Sequence, residues 1–183
     1  MPQVRFLAAA HVAVALTLVS PPPAAALDYP VLKNGQWEIT MTGSAGNGAP
    51  RTSTLCLDAS TQKNMLDMGL GMQKERCSKM ETRRDGSSFY TEAECRMGNS
   101  VIKAKTVMTM IGDTAYRTES SATFDPPLLK DLRESKSVID GKYTGACRDG
   151  LQPGDLVTST GQKINLKDLQ RPGGAAAKGK QGK

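Results

Sequence analysis

Histidine is almost missing from this chain: His11 is the only one in 183 residues. It lies inside a segment with the marks of a secretory signal peptide. Residues 1–26 carry one positive charge, Arg5, then a mostly apolar run from Phe6 to Val19. Ser20 and three prolines follow, and Ala24-Ala25-Ala26 supplies an A-x-A cleavage site. Cleavage there leaves a mature chain with no histidine. That excludes Ser-His-Asp and Cys-His nucleophile arrangements, histidine metal sites and a histidine pH switch. Carboxylate, lysine and tyrosine chemistry stay open. The apolar run is roughly 14 residues, too short to span a bilayer, so an uncleaved anchor is the less favoured reading. No later stretch is long and apolar enough to span, and no cysteine lies just after the cleavage site to carry a lipid. The protein is expected to be exported, periplasmic or secreted, with no transmembrane segment after cleavage.

Aromatic residues are also scarce, at 4 %. Past the leader the chain keeps Trp37, Phe89, Phe124, Tyr29, Tyr90, Tyr116 and Tyr143, so its core is lean and cross-links would help it. Excess charge is lacking where it would matter. The formal net charge is +6, of which Arg5 contributes one and Arg171, Lys178, Lys180 and Lys183 contribute four. The folded part is close to neutral, which argues against a nucleic-acid partner.

Four cysteines are present, Cys56, Cys77, Cys95 and Cys147. There is no C-x-x-C, and with no histidine a metal site or redox pair is disfavoured against structural bridges. Two strand-like runs, Cys77 to Arg83 and Ser88 to Met97, meet at Arg84-Asp85-Gly86-Ser87, where Asp-Gly is a hairpin signal. With Asp85, Gly86 and Ser87 as the loop, Arg84 faces Ser88, and counting outward pairs Cys77 with Cys95. Opposed cysteines in an antiparallel pair are close enough to bridge. Cys56 is then left for Cys147. On the chain-entropy model the long bridge stabilises by roughly 4 kcal/mol and the short one by about 3.

The remaining pattern has a period of two, as strands require. Trp37, Ile39 and Met41 alternate with polar residues after the turn at Asn34-Gly35. Thr52 to Leu57 resumes as a strand after a glycine-rich loop. Ile102, Ala104, Thr106, Met108 and Met110 share one face of a long run, Ser100 to Ile111. Tyr116, Thr118, Ser120, Ala122 and Phe124 share a face of the next. Asp125-Pro126-Pro127 stops that strand, and Glu134 to Ile139 with Gly141 to Cys147 reads as a closing strand or a hairpin around Asp140-Gly141. Asp58 caps a short helix from about Ala59 to Met68, ending near Gly69 or Gly71. Met65, Leu66, Met68, Leu70 and Met72 fall at helical spacing there. A helix packed over an edge or end of the sheet is the ordinary reading, and an adaptable methionine surface for a ligand is the sharper one. The fold expected is mainly β, an antiparallel meander curved into a half-barrel or closed into a small barrel, with one short helix and disulfide bridges. Residues 27–160 make one domain. Residues 161–183 lose the pattern and read as a disordered basic tail.

The chain resembles a family of small exported proteins of Gram-negative bacteria known as a domain of unknown function, of the DUF3617 type. The resemblance rests on Gly35-Gln36-Trp37-Glu38-Ile39-Thr40, Cys56-Leu57-Asp58, Met68-Gly69 followed by Cys77, and Cys95. It continues through Gly112-Asp113-Thr114-Ala115-Tyr116, Asp125-Pro126-Pro127, Gly145-Ala146-Cys147 and Pro153-Gly154-Asp155. It runs from Tyr29-Pro30 to near Val157. It implies an exported, cysteine-bridged domain and brings no activity, cofactor or catalytic residue with it.

Three functions fit these observations. The first is a non-catalytic binding module whose curved sheet holds a small apolar or amphipathic ligand, with Trp37, Ile39, Met41, Met108 and Met110 facing it under a helix bearing Met65 and Met68. The same side chains would equally fill a core. The second is a structural or protein-interaction component of the cell envelope, using a sheet edge or loops. The third is a hydrolase built on Asp58, Glu92 or Glu94, the least favoured, because Arg96 shares the face of Glu92 and Glu94 and a solvated charged face explains all three. No cofactor and no metal ligand set is expected.

Overall fold

The structure, a computed structural model, describes residues 29–44, 48–128, 131–148 and 150–170. The expected signal peptide, including His11, and the basic stretch 171–183 lie outside the described residues. The strands are β1 (Gly35–Gly43), β2 (Arg51–Leu57), β3 (Cys77–Asp85), β4 (Ser88–Met97), β5 (Ser100–Ile111), β6 (Ala115–Asp125), β7 (Glu134–Gly145), β8 (Asp155–Val157) and β9 (Lys163–Asn165). They form one antiparallel sheet in the order β3-β4-β5-β6-β7-β1-β2-β8-β9. The sheet is open, with β3 and β9 as its edges, so of the two closures expected the closed barrel does not form. A single α-helix among the described residues, α1 (Ala59–Arg76), joins β2 to β3, and a short 3-10 turn follows β9 at Asp168–Gln170. α1 is not long and apolar enough to cross a membrane.

The length of α1 forces the sheet to curl. Leu57, at its start, pairs with Gly35. Four residues further along β1, Ile39 shares a row with Gly141 and Tyr116. Eight residues beyond Tyr116, Phe124 shares a row with Ile102, Cys95 and Cys77. Leu57 and Cys77 therefore sit at opposite corners, six strand spacings and about twelve residues apart, which in a flat sheet is about 50 Å. The 18-residue helix is only about 27 Å long. The sheet must coil until its corners meet the helix ends, and α1 then runs as a chord over the concave face.

Three expectations need correction. The helix does not stop near Gly69 or Gly71 but continues to Arg76. Each glycine costs up to about 1 kcal/mol without clashing, and both ends are pinned. Asp58 caps the first turn by accepting from Thr61 N at 2.7 Å and Thr61 Oγ1 at 2.6 Å, and Cys77 begins β3 directly with its bridge to Cys95. The hairpin register is shifted: Asp85 faces Ser88 across a two-residue Gly86-Ser87 turn, with Gly86 at φ 56°. An extra residue at Ser78 then bulges β3, which restores the Cys77–Cys95 pairing. Of the two readings of the closing segment, a strand or a hairpin around Asp140-Gly141, the strand forms, running unbroken from Glu134 to Gly145. Finally, the structure runs past the boundary expected at residue 160. The short hairpin β8–β9 packs Leu156 opposite Ile164, and Asp155 ties it by accepting from Asn165 Nδ2 at 2.8 Å and Gln152 N at 2.9 Å.

The core is small and sits at one end of the sheet. Trp37 is 1 % exposed and packs with Leu55 and Leu57, with Tyr116 and Tyr143 against its ring at 5.7 and 5.8 Å between centroids. Its indole N–H donates to the Lys33 carbonyl at 2.8 Å. Tyr116 lies flat over Gly141 on the neighbouring strand, where an added Cβ would come within 2.1 Å of its ring. On the opposite face, Cys56 bridges to Cys147 and closes a separation of 91 residues.

Candidate functional site

The concave face changes character along the sheet. Across β3 to β6 it presents Thr82, Thr91, Thr106 and Ser120 in one row and Ala93, Ala104 and Ala122 in another. The hydroxyls pair with each other, Thr82 with Thr91 and Thr106 with Ser120, both at 3.1 Å. Towards β1 and β2 the same face becomes Trp37, Ile39, Leu55 and Leu57. The register puts these two regions on one surface; residue size separates them.

An open apolar concavity of about 510 Å³ lies where the chord of α1 crosses the aromatic end. Its floor is Trp37, Ile39, Leu55, Leu57, Tyr116 and Met108 from the sheet. Ala59, Gln62, Lys63, Met65 and Leu66 of α1 form one wall and Tyr29, Pro30, Val31 and Leu32 the other. That second wall is a strap without regular structure, held by the Gln62 side chain. Gln62 Nε2 donates to the Leu32 carbonyl and Leu32 N donates to Gln62 Oε1, both at 2.8 Å. The amide thus completes both backbone bonds of Leu32 as a neighbouring strand would.

Of the residues expected to face a ligand, Trp37, Ile39, Met65 and Met108 are brought together here. Met41, Met68 and Met110 are not. Met41 lies towards the far end of β1 opposite Arg51 and is 45 % exposed, Met68 is 39 % exposed on α1, and Met110, although it pairs with Tyr116, is not among the residues lining the concavity. The helix is more loosely seated than an amphipathic core helix: Thr61 is its only buried residue, while Leu66 and Leu70 are half-buried. The strap and the Gln62 clamp are not expected from the sequence, and Leu66, expected on the apolar side of the helix, is not among the residues grouped there as ligand-facing. Leu66 falls at the spacing that marks α1, but no local signal pairs Gln62 with Leu32, 30 residues earlier. Burial raises the Tyr116 hydroxyl above its ordinary pKa, keeping it neutral.

The convex face is charged. Its trough of about 520 Å³ is lined by Lys79, Glu92, Glu94, Lys103, Lys105 and neighbours. Its charges neutralise each other across strands: Lys105 meets Glu92 at 3.0 Å and Lys103 meets Glu94 at 3.8 Å. The hydrogen bond and charge of Lys105 hold Glu92 below its ordinary pKa. The bonds from Thr61 do the same for Asp58 at the helix cap. Both carboxyls are ionised near neutrality, the wrong state for a general acid. Among the described residues no three His, Cys, Asp or Glu side chains cluster as metal ligands would.

An open, disulfide-stapled antiparallel sheet with a helix strung across its concave face and an apolar hollow beneath defines a β-rich domain with a small-molecule-sized cleft. The chain belongs to the family described as Protein of unknown function (DUF3617), whose model matches residues 32–147. The match takes in all four cysteines, α1 and the floor of the concavity, and stops before β8 and β9. No curated protein matches the chain.

Proposed function

We propose that this is an exported, non-catalytic binding module that holds a small apolar or amphipathic molecule in the concavity between the Tyr29–Leu32 strap, α1 and the aromatic end of the sheet. The observation that carries this reading is the concavity itself. Its volume of about 510 Å³ falls in the ordinary range for ligand sites, roughly 300–1,000 Å³. Its walls are almost wholly apolar, and the helix above it is seated through half-buried residues. Export is supported by the leader-like residues 1–26 and by two bridges that persist only in an oxidising compartment. Periplasmic delivery places the module where lipidic and other amphipathic molecules are at hand.

The test is native mass spectrometry of protein purified from the periplasm, with a denatured, reduced control that counts the bridges. The reading expects an added mass that is lost on denaturation. A bare monomer with two bridges, which also fails to take up any apolar probe, overturns it in favour of a structural or protein-interaction role in the envelope.

A further inference from the structure

We infer that the concavity takes a single-chain amphiphile with an anionic head, of the fatty-acid class, its alkyl chain lying against Trp37 and Met108 and its carboxylate meeting Lys63. This rests on the reading of the concavity as a ligand site. The interior is mostly hydrocarbon. Of the side-chain donors on its walls, the Trp37 indole is bonded to the Lys33 carbonyl and the Gln62 amide to Leu32, so only Lys63 and the hydroxyls of Tyr29 and Tyr116 are left to meet a ligand. A ligand with polar groups along its length would bury most of them unpaired, at a cost of about 1–3 kcal/mol each. Methionine and leucine side chains from both sheet and helix make a wall that adapts to a flexible chain.

The polar end is decided by charge. Lys63 is the only lysine, arginine, aspartate or glutamate among the lining residues, so the site has one cation and no competing carboxylate. Its present partner is Asp67, one turn along α1 and outside the lining, at 2.6 Å. That pair is exposed, 74 % and 55 % for the two side chains, and exposed pairs of this kind are weak. A ligand carboxylate can therefore replace Asp67 at little cost while its chain is buried.

Trp37 is the sole tryptophan and lies in the floor, so its fluorescence reports on this site alone. The experiment titrates the mature, disulfide-bonded protein with dodecanoate, dodecanol and dodecylamine at low ionic strength, each below its aggregation concentration. Dodecanoate is expected to bind about three-fold tighter than dodecanol, with dodecylamine weakest. In K63E the order of acid and amine reverses, in K63Q the acid loses its advantage over the alcohol, and D67N, which frees Lys63, tightens dodecanoate. Equal affinity for acid and alcohol in the parent protein, or an order that K63E leaves in place, overturns the head-group assignment while the concavity still binds. Absence of a saturable fluorescence change with all three overturns the concavity reading itself.

Discussion

The two ends of one sheet are built from the same ladder yet differ in what lies on it. At the β7-β1-β2 end, Trp37, Tyr143, Leu55 and Leu57 close on each other and on Tyr116 from the adjoining strand β6, and glycines at 35 and 141 give the rings room. At the β3-β4-β5-β6 end, the middle of the same concave face carries alanine, threonine and serine, its larger Ile102, Met108 and Phe124 are only half-buried, and among the described residues Phe89 is its one buried apolar side chain. The difference teaches where each kind of stability resides. The aromatic end is held by packing. The other end is held by its ladder, by hydroxyl pairs, by exposed ion pairs on the convex side and by the Cys77–Cys95 bridge. The concavity sits at the boundary, where side chains are large enough to form walls but too few to fill the space under α1.

The sharpest way to break this comparison is to remove the bridges one at a time. Replacing Cys56 and Cys147 by alanine opens a separation of 91 residues and is expected to cost about 4 kcal/mol; replacing Cys77 and Cys95 opens 18 residues and costs about 3. Denaturant unfolding measures both. Trp37 fluorescence should shift in the first variant and hold in the second.

A smaller perturbation is added side-chain bulk placed at each end, one carbon at Gly141 and two at Ala104. Gly141→Ala drives a methyl group into the Tyr116 ring and is expected to cost about 1–3 kcal/mol by overpacking. Ala104→Val, on the half-open face of β5, should stay within about 0.5 kcal/mol. Thermal unfolding of the two variants sets the contrast; equal losses would mean that the β3–β6 face is packed after all.

Acid should act on the packed end through Asp155. Its bonds from Gln152 N, Asn165 and Lys163 hold it below the ordinary 3.8. A carboxyl lowered on folding binds its proton more weakly in the folded state than in the unfolded one. Its contribution is therefore complete above about pH 4 and lost as pH falls through the folded value. Stability of Asp155→Asn followed from pH 6 downward should start about 1–2 kcal/mol lower and decline less steeply than the parent. Smallest of all, Gly71→Ala in α1 meets nothing within 4 Å and should stabilise by up to about 1 kcal/mol.

Much of this architecture is legible in the residues. Alternation in β1, β5 and β6 assigns Trp37, Ile39, Met108 and Tyr116 to one face, and the bridges follow from the Asp85-Gly86 turn and elimination. The pairing of Cys77 with Cys95 survives for a different reason from the one expected: the loop is one residue shorter and the bulge at Ser78 compensates. Bulges carry no composition signal of their own, which is why that register was misread. The length of α1 was hidden because glycine marks helix ends statistically, whereas here the ends are set by Asp58 and Cys77. The seven side chains grouped as ligand-facing share faces, but period alone cannot say how far along a strand the helix crosses. Met41 and Met110 fall outside the crossing for that reason. The Gln62–Leu32 clamp is a tertiary contact between segments with no common pattern, and so it was invisible.

The most direct test of the whole account is a chemical-shift map of the mature protein titrated with dodecanoate, with backbone amides and the Trp37 indole observed together. The account predicts saturable shifts confined to residues 29–39, the first two turns of α1, Leu55, Leu57, Met108 and Tyr116, with β3 and β4 unmoved. Shifts centred on the β3–β4 hairpin, or none near Trp37, would contradict it.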